Sequence, residues 1–346
     1  MIIKNKKILV IGGAGFIGSH TVELLLKESP KKIIIFDNFE RGKLKNLSKS
    51  LKDPKVELFK DGGDILKLDL LNSAMKDVDY VFHFAALWLL HCNDYPESAF
   101  DVNIRGTFNV INLCVKNKIK KLIFSSSASV YGDAINVPMT EDHPFNNRNF
   151  YGATKISCEA MCRAFYDRYN LNYVGLRYMN VYGPHQICKG PMSTVIGIFE
   201  DHYKRKKALP VVKPGTQSRR FTHIDDTIKV CFSAWKKNLC RHYSISNKKS
   251  FSIIQVAKMF KSRKCTYFDS KTDLCMNNLD IFPESQKITL MHVRQNNISV
   301  PQTCTVYAYF ANPITYFRII QSFCSIFSLF IDIFFCMYIT CRTVLV

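Results

Sequence analysis

The first half of the chain alternates two kinds of apolar pattern. The segments "KKILVIG" (6–12), "KKIIIFD" (31–37), "KVELFK" (55–60), "VDYVFHFAA" (78–86) and "KKLIFSSS" (120–127) each hold a continuous apolar run of strand length. Such runs, lacking a polar face, suit strands buried on both sides of a parallel sheet. Between them, "SHTVELLLKES" and "NIRGTFNVINLCVKN" carry apolar residues at helical spacing. Strand, helix, strand, repeated, predicts an α/β fold with a doubly wound parallel sheet. A long helix is predicted from about Asn149 through "FYGATKISCEAMCRAFYDRY", followed by the strand "LNYVGLRYM" (171–179). From about Tyr182 the pattern loosens, as expected where a smaller C-terminal region supplies loops over a cleft.

Past residue 262 the character changes. Residues 263–303 show no clean periodicity, and residues 304–346 are strongly apolar and aromatic. The stretch 319–341 is long enough to cross a bilayer, although Gln321 and Asp332 interrupt it. Three readings stay open for this tail: a membrane anchor, an aberrant terminus such as a shifted reading frame, and a soluble helix.

Composition adds little to the pattern. At 346 residues the chain can bury one large core or two smaller ones. Its formal charge of +20 is large, but the lysines are scattered and no basic stripe is interleaved with aromatics, so no nucleic-acid partner is expected. The 13 cysteines include no CxxC pair, and Cys158 and Cys162 lack matching ligands, so packing is expected of them and no metal site. "MIIKNKK" runs straight into a strand without a leader, so a cytoplasmic, reducing setting is expected.

Chemistry enters at "ILVIGGAGFIGSH" (8–20). Behind a buried strand, Gly12 permits a tight turn, Gly15 lets the backbone approach a pyrophosphate, and Gly18 lets the next helix pack closely. The phosphates then meet free N–H groups at a helix N-terminus. Asp37, at the end of the second strand, is placed to bind the ribose hydroxyls of NAD and to repel the extra phosphate of NADP. Arg41 is close enough in sequence to keep NADP in view. The chain is thus expected to comprise a Rossmann NAD-binding domain over 1–180, a substrate-binding region over 181–262 and an atypical tail over 263–346.

Together with "GGDI" (62–65), "HFAA" (83–86), "SSSASVYG" (125–132) and "YGATK" (151–155), these features resemble the extended short-chain dehydrogenase/reductase family. Within it, the chain is most similar over residues 6–262 to nucleotide-sugar epimerases of the UDP-glucose 4-epimerase kind. The resemblance implies that Asp64 and Ile65 hold the adenine and that Phe84, Ala85, Ala86 and Asn103 line the cofactor. It also implies cofactor contacts at Phe16, Ile17, Asn38, Ser125 and Tyr178. A homodimer through a paired-helix bundle is implied by the same analogy.

Tyr151 and Lys155 stand four apart and share a helix face. A free phenol, with a pKa of about 10, is a poor base at neutral pH, and a neighbouring ammonium favours its phenolate. The resemblance gives Tyr151 the acid/base role, Lys155 the roles of its partner and of a ribose ligand, and Ser127 a hydrogen bond to the reacting oxygen. It implies a 4-epimerisation of a UDP-hexose through a 4-keto intermediate, with NAD unchanged at the end. Family dehydratases carry an Asp-Glu pair after the position of Ser127; Ala128 and Ser129 stand there, which argues against 4,6-dehydration. In "LRYMNVYGP" (176–184) and "GTQSRRFTHIDD" (215–226) the resemblance places Asn180 on the substrate and Arg219 on its diphosphate, with Arg220 beside it. His83, His185 and His223 read as packing or loop residues. The family's RxGD-like segment is missing after residue 262, and "DSKTDL" (269–274) is only an echo of a later family helix. Alternatives therefore stay open: a UDP-uronic acid epimerase or decarboxylase, another nucleotide-sugar oxidoreductase, or an impaired NAD-binding protein.

Overall fold

A computed structural model describes residues 2–268, apart from 136–138, 191, 238–239 and 261–264. The expectations for residues 269–346, including the candidate span 319–341 and "DSKTDL", lie outside the described residues. No helix among the described residues is long and apolar enough to cross a membrane.

Strands β1 (Lys7–Ile11), β2 (Lys32–Phe36), β3 (Val56–Leu58), β4 (Tyr80–His83), β5 (Lys121–Ser127), β6 (Tyr173–Tyr178) and β11 (Arg241–Ile245) form one sheet. Its order is β11-β6-β5-β4-β1-β2-β3, and every pairing is parallel. Both faces are buried, as the unbroken apolar runs require. On one face, Ile8, Val10, Ile33 and Ile35 pack with Val22 and Leu25 of α1 (Phe16–Lys27) and Ala234 and Trp235 of α8 (Ile224–Lys236). On the other, Leu9, Ile11, Ile34 and Phe36 pack under α2 (Leu68–Met75), α5 (Thr107–Lys116) and α6 (Phe150–Tyr169). Cys158 and Cys162 of α6 are buried in that second cluster.

Before α5, two short helices, α3 (Leu89–Asp94) and α4 (Pro96–Ala99), lead into a π-helical stretch, Phe100–Gly106. Beyond β6 the chain forms short pairs around a smaller apolar cluster. Val181–Tyr182 (β7) pairs with Thr222–His223 (β10), and Ser218–Arg219 (β9) pairs with Phe251–Ser252 (β12). Leu209–Val212 (β8) pairs with Cys265–Phe268 (β13), so residues 265–268, where the sequence shows no periodicity, form a strand. Helices α7 (Val195–Lys204) and α9 (Ile253–Met259) flank these pairs.

The expected division at residue 180 does not divide the sheet. Helix α8 and strand β11 come from the region beyond it, and β11 adds the edge next to β6.

Candidate active site

Strand order reverses between β1 and β4, and the crevice at such a switch point is where open α/β sheets hold ligands. A groove of ≈ 590 Å³ opens there. Its lining includes Gly12, Gly15, Phe16, Ile17, Gly18, Asp37, Asn38, Asp64, Ile65, Phe84, Ala85 and Ala86, all of them candidates from the sequence.

The glycine spacing has a steric cause. Gly12 has φ +77°, and a Cβ there would sit 2.7 Å from the Ala85 nitrogen. A Cβ on Gly18 would collide with the Gly12 carbonyl and approach Gly13 Cα, so α1 could not close on the turn. The turn and helix thus present backbone N–H groups to the groove, a fit for a diphosphate. At the adenosine end, Asp37 Oδ2 accepts from the Ala14 N–H and Oδ1 from the Phe39 N–H, each at 2.8 Å. Burial raises the Asp37 pKa, against those two hydrogen bonds. Each oxygen keeps acceptor capacity for a hydroxyl. These observations fit the dinucleotide that the glycine pattern implies.

The catalytic candidates sit on the ends of two elements. Asn149 caps α6, its side chain accepting from the Gly152 N–H at 2.8 Å, which fixes Tyr151 in the first turn. One turn on, Lys155 is buried, and its Nζ donates to the Ser125 carbonyl at 2.8 Å. The same ammonium lies 5.7 Å from the Tyr151 ring centre and 5.1 Å from that of Phe124. Ser127 ends β5, and its Oγ accepts from the Ser129 N–H at 3.1 Å. Ser125 reaches this cluster through its backbone carbonyl.

A buried polar network lies behind these residues. Glu159, two turns along α6 from Tyr151, takes Ser126 Oγ on Oε1 at 2.5 Å. Arg177 of β6 grips the same carboxylate through Nε at 2.9 Å and Nη2 at 2.7 Å. Arg177 also donates to Tyr131 Oη at 2.7 Å, and that hydroxyl meets Ser244 Oγ of β11 at 2.7 Å. Burial pushes the Glu159 pKa up, but the bonds from Arg177 and the charge of His242 outweigh it and leave it lowered. The sequence reading missed this network; its signal was an acidic residue four positions past Lys155 on the same helical face.

Two cofactor candidates differ from expectation. Tyr178 points into the apolar core between sheet and α8, where its hydroxyl accepts from Cys231 Sγ. Every residue of β6 is buried, so the pattern could not show which side faced the groove. Asn103 sits in the π-helical stretch and clasps the backbone of Leu87, accepting its N–H at 2.7 Å and donating to its carbonyl at 3.2 Å. Its amide shapes the loop after β4 and is absent from the groove lining.

On the far side, Asn180 (φ 42°) donates to the Arg220 carbonyl at 3.3 Å, and the β7–β10 pairing brings the two segments together. Arg219 and Arg220 are both buried. His223 caps α8, and buried His83 bonds Thr107 Oγ1 at 3.0 Å. The groove also gains residues that the sequence reading left out, among them Lys43, Gly183, Gln186, Cys188 and Lys204. Segment 183–188 is tied back to α1 by Ser19 Oγ with His185 Nδ1 at 2.9 Å and by His20 Nε2 with the Pro184 carbonyl at 2.9 Å.

Comparison with known proteins agrees with this architecture. A UDP-glucose 4-epimerase of Lactobacillus helveticus is 31% identical over 294 residues, 82% of each chain. Among solved structures, a UDP-N-acetylglucosamine 4-epimerase from Methanobrevibacter ruminantium, in complex with UDP-N-acetylmuramic acid, superposes with a TM-score of 0.75 at 32% identity. That match covers 81% of this chain and 90% of the other. A UDP-glucose 4-epimerase from Thermotoga maritima, solved with UDP-glucose, gives a TM-score of 0.72 at 28% identity, covering 79% and 89%. The family model matches residues 8–246, and the chain belongs to the NAD dependent epimerase/dehydratase family.

Proposed function

We propose that this protein is an NAD-dependent nucleotide-sugar 4-epimerase whose substrate is a UDP-hexose. The observation that carries the reading is the placing of Lys155 against the Tyr151 ring and the Ser125 carbonyl, beside a groove shaped for a dinucleotide. Gly12, Gly15, Gly18, Asp37 and the loop after β4 hold the cofactor in this reading. Bound NAD supplies a reversible hydride acceptor at the sugar C4.

The chain's own residues do the rest. Tyr151 takes the proton from the 4-hydroxyl and returns it once the opposite configuration has formed. Lys155 holds positive charge beside that phenol, and the carbonyl of Ser125 fixes its ammonium. Ser127 hydrogen-bonds the reacting oxygen. Asn180, at the end of the 1–180 region, and Arg219, from 181–262, orient the sugar and bind its diphosphate; a guanidinium matches a diphosphate because it donates paired hydrogen bonds. Ala128 and Ser129 leave no carboxylate for elimination, which favours epimerisation over dehydration.

Two coarser features belong to the same proposal. Exposed Tyr95, Phe100, Phe108 and Tyr169 lie on α4, α5, α6 and their neighbours, and support a homodimer through that helical face. A reducing, cytoplasmic setting belongs to the proposal because the eight cysteines among the described residues are free thiols.

Incubating the purified chain with UDP-glucose and separating products by chromatography tests the function. UDP-galactose is expected. Conversion of UDP-glucuronic acid in place of UDP-glucose would replace the hexose with a uronic acid, and no product from either would overturn the proposal.

A further inference from the structure

The chain just past β7 forms part of the groove wall. Residues 183–188 all line it, together with Gly12, Gly15 and Gly18 of the turn. A dinucleotide seated on the turn therefore shares the groove with this segment. The anchors of the segment lie far away in sequence. The His20 Nε2–H donates to the Pro184 carbonyl at 2.9 Å, and His185 Nδ1 meets Ser19 Oγ at 2.9 Å. Ser19 Oγ gives its one proton to the Phe16 carbonyl at 3.1 Å, which leaves its lone pairs for an N–H of His185. The two imidazoles also stack, with ring centres 4.6 Å apart and planes 32° from parallel.

The far end of the segment is held by a different element. Gln186 Nε2 donates to Glu200 Oε2 of α7 at 2.9 Å, and Cys188 Sγ donates to the same oxygen at 3.5 Å. Residues 183–188 thus join α1, which packs on the large sheet, to α7, which belongs to the smaller apolar cluster. Within the join, His185 has φ +71°, a left-handed backbone uncommon outside glycine. A residue persists there when its surroundings over-determine it, and the ring pair and the Ser19 bond do so. His20 and His185 are only half-buried, so their bonds can part without disturbing either apolar cluster.

We propose that His20 and His185 form a latch that fastens segment 183–188 to α1 and sets the rate at which the dinucleotide enters and leaves the groove. The assignment rests on the cofactor reading above and concerns how the cofactor exchanges. Every bond of the latch joins protein to protein, so weakening it acts on the empty and the loaded groove alike. His20→Ala removes the Pro184 bond and the ring pair. His185→Asn removes the ring and keeps a residue that tolerates the left-handed backbone. Each variant speeds both association and dissociation of NADH by about 5- to 50-fold, read by stopped-flow fluorescence, and holds Kd within about 3-fold. His20→Phe keeps a ring to stack but loses the donor, and falls between wild type and His20→Ala. Because the two histidines act as one unit, the double variant is faster than the faster single one by no more than about 2-fold.

Wild-type rates in both single variants overturn the latch and leave the cofactor reading standing. Faster dissociation with unchanged association also overturns it, since the histidines would then hold the ligand itself. Effects that multiply in the double variant overturn the pairing, because they would show two independent anchors. A wild-type chain that bound no NADH would overturn the latch and the cofactor reading together.

Discussion

Arg177 is buried and Arg41 half-buried, and their partners differ. Arg177 is locked between β6 and α6 by two bonds to Glu159, one to Tyr131 and one to the Glu141 carbonyl. Arg41 lies along a groove with no protein hydrogen bond to its Nε. The first arginine is complete within the fold and keeps helix and strand in register. The second has an Nε without a hydrogen-bond partner and faces the groove. A buried charge with its partners inside therefore marks structure, while a half-buried one that faces a groove marks a place open to a ligand.

The largest effect expected at the site comes from Tyr151→Phe. Removing the hydroxyl should lower turnover by about 10²- to 10⁴-fold while NAD binding persists, read by steady-state rates and calorimetry on the same sample. Turnover at the wild-type rate would remove Tyr151 from its assigned role.

The paired region is tested by stability. Glu159→Ala leaves the Arg177 charge buried and uncompensated, and should cost about 3–5 kcal/mol in chemical denaturation. Replacing both partners by methionine should cost far less, because no orphaned charge remains. If the double variant were as unstable as the single one, the network's value would lie in shape and not in charge pairing.

The smallest effect is a dependence on pH. Burial lowers the His83 pKa to about 3 and the His242 pKa to about 4, against about 6.5 in an unfolded chain. Between those values the unfolded state binds more protons, so stability is full above pH 6.5 and falls as the pH drops below it. Each histidine should contribute a slope of about 1.4 kcal/mol per pH unit in that window. The wild-type chain should therefore lose more stability than His83→Gln between pH 6 and 5, by about that amount. Glu159, whose pKa is lowered in the fold, adds its own loss only below its unfolded value, about 4.3. Equal slopes for the two proteins would show that His83 is protonated in the folded chain.

How much the sequence revealed follows from where the causes lie. The runs that became β1, β2, β4 and β5 were legible because burial on both faces demands unbroken apolar residues. Asn149 announced α6 because a cap is a local interaction. The groove's glycines were legible for the same reason: backbone contacts between near neighbours dictate them. Strand β11, "RHYSI", was not, because His242 and Ser244 replace apolar residues with side chains that face the Glu159 and Tyr131 network. The return of segment 183–188 to Ser19 and His20 joins residues about 165 positions apart and leaves no motif. Arg41 was visible as a charge near Asp37, but its place along the groove belongs to the folded loop.

The place of β11 at the sheet's edge bears on how the chain is made. During synthesis the ribosome must release residue 245 before β6 acquires its last neighbour and Ser244 can close on Tyr131. Until then a nascent chain ending near residue 180 exposes an open, largely apolar edge of the kind that pairs with other chains. The Lys121 ammonium also waits, since the carbonyls of Trp235 and Lys237 cap it. Cutting the gene at that point should yield inclusion bodies in place of a free-standing nucleotide-binding half.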